Sequence, residues 1–376
     1  MINLRELSPA ERGDWLRLIR TQNIGPITFY QLVQRFGSAG DALRHAPAYA
    51  RASGRKRQFT LAKNDMIEAE LDAGARFGAQ LVCACEPSYP APLRHIPDAP
   101  PILWVKGSPG LFDKSIIAIV GARNASSVGR HMAQQLASEL GAAGIVIASG
   151  LARGIDGAAH QASLATGTIA VVAGGIDIVY PPEHTALTAE IAERGTLIAE
   201  SPMGYQPQGR DFPKRNRIIS GLSMGVVVVE AAARSGTLIT ARLAAEQGRE
   251  VFAVPGSPLD PRCAGTNQLL RDGASLVTKA DDILEFLQGM GKRFTEPEQM
   301  ALLDNAPADF SEKDRKKIAQ AITMALSFTP IHRDILLREI NAPAPLIMDA
   351  LLDLVLTGIA EEQGGGHFCL APNLSL

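Results

Sequence analysis

From Ser115 onward the chain alternates short β-branched apolar runs with amphipathic stretches, and no other feature restricts its fold as tightly. The runs are "SIIAIVG", "GIVIAS", "TIAVVAG", "TLIAES", "MGVVVVEA" and "EVFAVPG". Each is continuously apolar, the pattern of a strand covered on both faces. Between the first two lies "SSVGRHMAQQLASELGAAG", in which Met132, Leu136 and Leu140 recur at helical spacing. Strand and helix in alternation predict an α/β domain with a doubly wound parallel sheet and helices on both faces.

The flanks read differently. Leu4 to about Ala46 carry apolar residues at helical spacing, with an Ile24-Gly25-Pro26 turn between two helices and Gly37 as a helix stop. This predicts a small helical module of helix-hairpin-helix or SAM-like type, in which backbone N–H groups at a helix start can hold phosphate. "RASGRKR", Arg51 to Arg57, reads as an exposed, solvated charge run. "CEPSYPAPLRHIPDAPPILWVKGSP" is too rich in proline for regular helix and reads as a connection into the sheet. After about Gly289, "GKRFTEPEQMALLDNAPADFSEKD" reads as a linker. Helices near Arg315–Leu326, Ile331–Ile340 and Pro345–Leu356 then precede "GIAEEQGGGHFCLA", a winged-helix arrangement. The expected organisation is a helical module at 1–80, the α/β domain at 81–290, a linker at 291–310 and a winged-helix module at 311–376.

With 376 residues and 46% hydrophobic content, one large core and smaller appendages are within reach. The formal net charge of −2 excludes a generally basic nucleic-acid coat, so any polyanion site must be a local patch. Cys83, Cys85, Cys263 and Cys369 form one C-x-C pair and two distant singles, which suits reduced structural thiols rather than a zinc site. No metal and no cofactor is expected. The absence of a leader pattern and of an apolar run of ~18 residues predicts a cytoplasmic chain without membrane contact.

The local patch is "FPKRNRIISGLS", where Lys214, Arg215 and Arg217 open a helix after Pro213 and could act with its first amides on one anion. A competing structural role for one of them, such as Arg215, is pairing with Asp211 or Glu230. In a doubly wound sheet the ligand lies beyond the carboxyl ends of the strands. The first of these ends in "VGARNASSVG", the second in "SGLARGIDGAAH" and the third in "GGIDIVYPPEH". The first two pair glycines with Arg123 and Arg153. No G-x-G-x-x-G follows the first strand, and Ser149-Gly150 ends the second where a ribose-binding acid would stand, which argues against a dinucleotide site; a P-loop is absent too. Arginines and lysine beside glycine loops suit several phosphates along a strand. Asp156 and His160 fall at i, i+4 on one helix and, lacking a nucleophile or third ligand, are expected to be a structural pair beneath the loop.

"VGARNAS", "SGLARGIDGAAH", "GGIDIVYPPEH", "AESPMG", "FPKRNRIISGLS", "VVVVEAAARSGTLITARLAAEQGREVFAVPGS" and "GTNQLLRDGA" together resemble the DNA processing protein A (DprA/Smf) family over roughly Tyr89 to Ala280. The resemblance implies a Rossmann-like domain that binds and protects single-stranded DNA, forms a homodimer, and loads RecA recombinase onto the strand in natural transformation, with no enzymatic step. Carried over by motif, its DNA-binding positions are Gly121, Arg123 and Ser126, then Gly150, Arg153 and Gly154, then Lys214, Asn216 and Arg217. Val128 stands where the family usually has an aromatic, and His184 where it usually has asparagine. Aromatics make up 5% of the chain, so phosphate contact should outweigh base stacking.

Two other classes stay open. Glu230 with "SGTLITA" would suit a nucleoside-monophosphate hydrolase acting on a ribosyl centre. A winged helix could read duplex DNA, but Asp349, Asp353, Glu361 and Glu362 give its recognition helix and wing the wrong sign for that. That module is expected to bind protein or the rest of the chain.

Overall fold

The computed structural model describes residues 4–52, 60–291, 312–363 and 366–371. Residues 53–57 of the basic run and 292–310 of the expected linker lie outside them. The chain divides into two compact units, one drawn from Met1–Leu71 together with Gln299–Leu376, the other from Asp72–Glu298.

The first unit opens with α1 (Pro9–Arg20), α2 (Pro26–Phe36) and α3 (Ala39–Ala52). Ser8 and Glu11 form a capping box at the start of α1. Gly37, at φ 88°, closes α2 in a conformation that costs glycine nothing. A further helix, α4 (Asn64–Phe77), precedes the sheet.

The second unit is built on a nine-stranded sheet of order β1-β2-β6-β5-β4-β3-β7-β8-β9. Its strands are β1 (Gln80–Cys83), β2 (Ile102–Gly107), β3 (Ile116–Val120), β4 (Val146–Ser149), β5 (Thr168–Val172), β6 (Thr196–Ala199), β7 (Gly225–Val228), β8 (Glu250–Ala253) and β9 (Ser275–Leu276). All the apolar runs picked out in the sequence are strands here, β3 to β8, and they pair in parallel. The sheet is mixed, however, because β2 pairs antiparallel with both β1 and β6. The proline-rich connection supplies β2 and a one-turn helix, α5 (Ala91–Arg94). The Arg94 guanidinium donates to the carbonyls of Ala84, Glu86 and Tyr89, replacing the hydrogen bonds that the prolines cannot make.

Helices α6 (Ser127–Ala142), α7 (Ile155–Ser163), α8 (Thr185–Arg194), α9 (Asp211–Leu222), α10 (Thr237–Glu246) and α11 (Ala264–Arg271) connect successive strands, and α12 (Ala280–Gly291) follows β9. On α6, Leu136 and Leu140 are fully buried against Ile147, Val227 and Phe252, and Met132 packs at the margin. The strand order reverses at β3, with β4, β5 and β6 on one side and β7, β8 and β9 on the other. The loops leaving β3 therefore open at the switch point where such sheets bind ligands.

The first unit ends in α13 (Glu312–Ala325), β10 (Ile331–His332), α14 (Arg333–Glu339), α15 (Ala344–Leu356), β11 (Ala360–Gln363) and β12 (His367–Leu370), the winged-helix order expected. Its buried cluster of Ile322, Leu336, Ile347, Leu351 and Phe368 also takes in Ile27 of α2.

Candidate nucleic-acid interface

The loops at the carboxyl ends of the parallel strands are held together by backbone contacts. Thr237 donates its hydroxyl to Gly121 O at 3.0 Å, and Ile155 N donates to Ala122 O at 3.3 Å. Gly154, at φ 75°, lies so close to the Ala122 and Arg123 carbonyls that an added Cβ would come within 2.2 Å of Ala122 O. An added Cβ on Gly121 would meet Ile155 at 2.5 Å. These two glycines are thus explained by the seam between the first and second loops, whatever else the loops do.

Beneath the loops runs a buried polar layer. The Arg215 guanidinium, 6% exposed, donates to Gly150 O and Val171 O and faces the Asp156 carboxylate. Burial draws its pKa down to about 10, against the pull of Asp156. Asp156 accepts from Gly150 N at 3.1 Å and Ala152 N at 3.4 Å, and burial pushes its pKa up. Gly150 is therefore engaged on both sides of its backbone and offers no amide to a ligand. Arg215 does take the structural role foreseen for it, but its partners are main-chain carbonyls and Asp156 rather than Asp211 or Glu230.

Asp156 and His160 do not pair with each other. His160 sits fully buried with Nδ1 at 2.7 Å from Thr168 Oγ1, whose own hydroxyl donates to Ile147 O. That direction leaves the ring Nδ1 as the donor to Thr168. Burial, with smaller electrostatic contributions from His184 and Arg215, brings its pKa down to about 3 and keeps the imidazole neutral.

Two further carried-over positions have their side chains engaged within the fold. Arg217 is 3% exposed, and its guanidinium is held by Asp98 O at 2.6 Å, by the Glu200 carboxylate at 2.6 Å and by Asp98 Oδ2 at 3.4 Å. Two flanking carboxylates raise its pKa further and leave nothing directed at solvent. Ser126, the N-cap of α6, accepts from Gly129 N at 2.9 Å, while its own N–H and hydroxyl both go to the Glu230 carboxylate. Glu230 is itself 5% exposed and closes on Gly129, where a Cβ would meet its carboxyl carbon at 2.5 Å. The start of α6 is already satisfied from within the fold.

What remains open to solvent is a smaller set. Arg123 and Lys214 are exposed and, among the described residues, make no ion pair. Arg153 is exposed and paired with Glu183 at 2.8 Å, while Asn216 is half-buried. Arg123 stacks its guanidinium over Phe212, 4.9 Å from the ring centroid, and Phe212 in turn lies 5.4 Å from the ring of Tyr180. Tyr180 is 45% exposed. Neither ring was among the candidates from sequence. Phe212 stands in the quoted basic stretch, beside Pro213, but only the fold brings Tyr180 to it.

The two departures also find places. Val128 is 78% exposed on the first turn of α6. His184 donates from Nδ1 to Leu151 O at 3.0 Å, steadying a residue at φ 56° in the second loop. Among the described residues no cluster of ligating side chains could hold a metal ion, and no helix is long and apolar enough to cross a membrane. The four cysteines are buried.

Three family descriptions match along the chain: DNA recombination-mediator protein A over residues 80–288, a DprA-like N-terminal HHH domain over residues 9–73, and a DprA winged helix domain over residues 306–366. Protein Smf of Escherichia coli is 40% identical over 296 residues, covering 76% of this chain and 76% of its own length. The DNA processing protein DprA of Bacillus subtilis is 47% identical over 212 residues, covering 56% of this chain and 71% of its own. Among solved structures, DprA from Streptococcus pneumoniae superposes with a TM-score of 0.62 at 33% identity, over 75% of this chain and 98% of that one. The Helicobacter pylori protein, whose structure is described for its single-stranded DNA binding mode, gives a TM-score of 0.51 at 30% identity, over 54% of this chain and 93% of its own.

Proposed function

Because the chain belongs to the DNA recombination-mediator protein A (DprA/Smf) family, we propose that it binds single-stranded DNA as a recombination mediator, holding the strand without chemistry on it. The observation that carries this reading is the meeting of Arg123, Lys214, Phe212 and Tyr180 beyond the carboxyl ends of the parallel strands. Two uncompensated cations can engage phosphates, and an exposed ring beside them offers a face to a base. Arg153 and Asn216 border the same loops and complete the contact set; Arg217 and Ser126 support it from within. The Helicobacter relative's single-stranded DNA binding agrees with this assignment.

Domain 81–290 is the DNA-binding part on this reading. Dimerisation through that domain and the loading of RecA recombinase in natural transformation belong to the same proposal and rest on the family. The hydrolase alternative loses ground because the Glu230 carboxylate is buried and spoken for by Ser126. A catalytic carboxylate would have to face a ribosyl carbon instead.

The test is binding of fluorescent oligo-dT across a salt series, with duplex of equal length as competitor. Wild type should prefer the single strand and weaken steeply with salt. Arg123→Ala/Lys214→Ala should reduce the logarithmic salt slope by about 1.4, two phosphate contacts at about 0.7 each for single strands. No preference for the single strand, or an unchanged double variant, would overturn the assignment.

A further inference from the structure

Glu362, on β11, reaches into the first turn of α2 from 334 positions away. Its carboxylate accepts from Ile27 N at 3.1 Å, from Thr28 N at 2.9 Å and from the Thr28 hydroxyl. Gly25, the N-cap, makes the room: a Cβ there would come within 2.6 Å of the Glu362 carboxyl. Toward the other end of α2, Arg35 donates to Asp349 at 2.7 Å and stands 3.6 Å from Asp353, both on α15. Between these points Gln31 donates to Met348 O at 3.3 Å. The wing and the helix that a winged-helix module would use on DNA are thus both turned onto α2, and three of the four acidic residues that made them poor duplex readers, Asp349, Asp353 and Glu362, make the contact.

A glycine-proline turn that presents two backbone amides and a hydroxyl at a helix start is chemistry for an anionic oxygen. Here that position holds one, the carboxylate of a distant segment. A phosphodiester oxygen would satisfy the same three donors. We propose that Glu362 stands in for a nucleic-acid phosphate, and that the winged-helix module is a latch occupying the phosphate turn of the helical module until a polynucleotide displaces it. This rests on the single-stranded DNA reading above. A free phosphate ion competes poorly with a tethered carboxylate, whereas a polynucleotide held elsewhere on the same chain competes at a comparable effective concentration.

The experiment is the oligo-dT salt series on the full chain, comparing wild type, Glu362→Ala, Arg35→Ala and Glu361→Ala. Glu362→Ala empties the turn and should add one phosphate contact, steepening the logarithmic salt slope by about 0.7, so that affinity falls about threefold more than in wild type between 50 and 200 mM salt. Arg35→Ala loosens the latch from its far side while keeping Glu362. It should steepen the slope in the same direction although it removes a cation, an outcome that simple charge loss cannot give. Glu361→Ala removes the same charge from the neighbouring strand position without touching the turn and should match wild type. If Glu362→Ala does not fold, Arg35→Ala alone decides. Unchanged slopes in Glu362→Ala and Arg35→Ala, or an equal steepening in Glu361→Ala, would overturn the latch. Failure of wild type to bind the oligonucleotide would instead overturn the single-stranded DNA reading.

Discussion

At the scale of single residues, the difference between Arg217 and Lys214 is one of surroundings, since both are cations of one basic stretch. Arg217→Ala leaves Asp98 and Glu200 facing each other without their shared counter-ion and should lower stability by about 3 kcal/mol, read from urea midpoints. Lys214→Ala should leave the midpoint in place and lower the salt slope of oligo-dT binding by about 0.7. His160 makes a separate prediction. Its pKa is about 3 in the folded protein, against an ordinary 6.5 when the chain is unfolded. Between those values the unfolded chain binds a proton that the folded protein excludes. Stability present above pH 6.5 is therefore lost on acidification at up to about 1.4 kcal/mol per pH unit from this residue. Urea titrations from pH 7 to pH 4 should show a shallower decline for His160→Asn than for wild type; parallel curves would remove the neutral imidazole from the account. Of the basic stretch, the sequence could reveal charge and a helix, although α9 begins at Asp211, before Pro213 rather than after it. It could not reveal that Asp98, 119 positions upstream, closes over Arg217, because that pairing exists only once α5 and the segment after it are packed on α9.

At the scale of elements, legibility followed burial on two faces. Strands β3 to β8 announce themselves because parallel strands under two helical layers admit little but apolar, β-branched residues. Strands β1 and β2 are antiparallel, and β2 lies within the proline-rich connection, where turn signals mask a short pairing. The loops show the same division. Glycines and an arginine mark the first two as ligand-facing, yet Gly121 and Gly154 are required by the seam between those loops. Gly154→Ala joins a positive φ to a collision with a backbone carbonyl and should cost at least about 2 kcal/mol, measured by urea unfolding, while also weakening oligo-dT binding. An alanine tolerated there without loss would mean that the seam yields more easily than its geometry suggests.

At the scale of the whole molecule, the terminal modules expected as separate pieces are joined through α2, α15 and β11 in one unit with a common apolar cluster. Acidic residues argued against a duplex-reading wing in the sequence; what they contact became visible only in the fold. The carboxylate of Glu230 has a consequence of its own. In folds of this class the start of the helix after the first strand is where a small nucleotide would lodge its phosphate, and Glu230 fills that place from inside. A cell contains free ribonucleotides far in excess of any exposed DNA strand, and a protein that must find the strand gains from being deaf to the monomers.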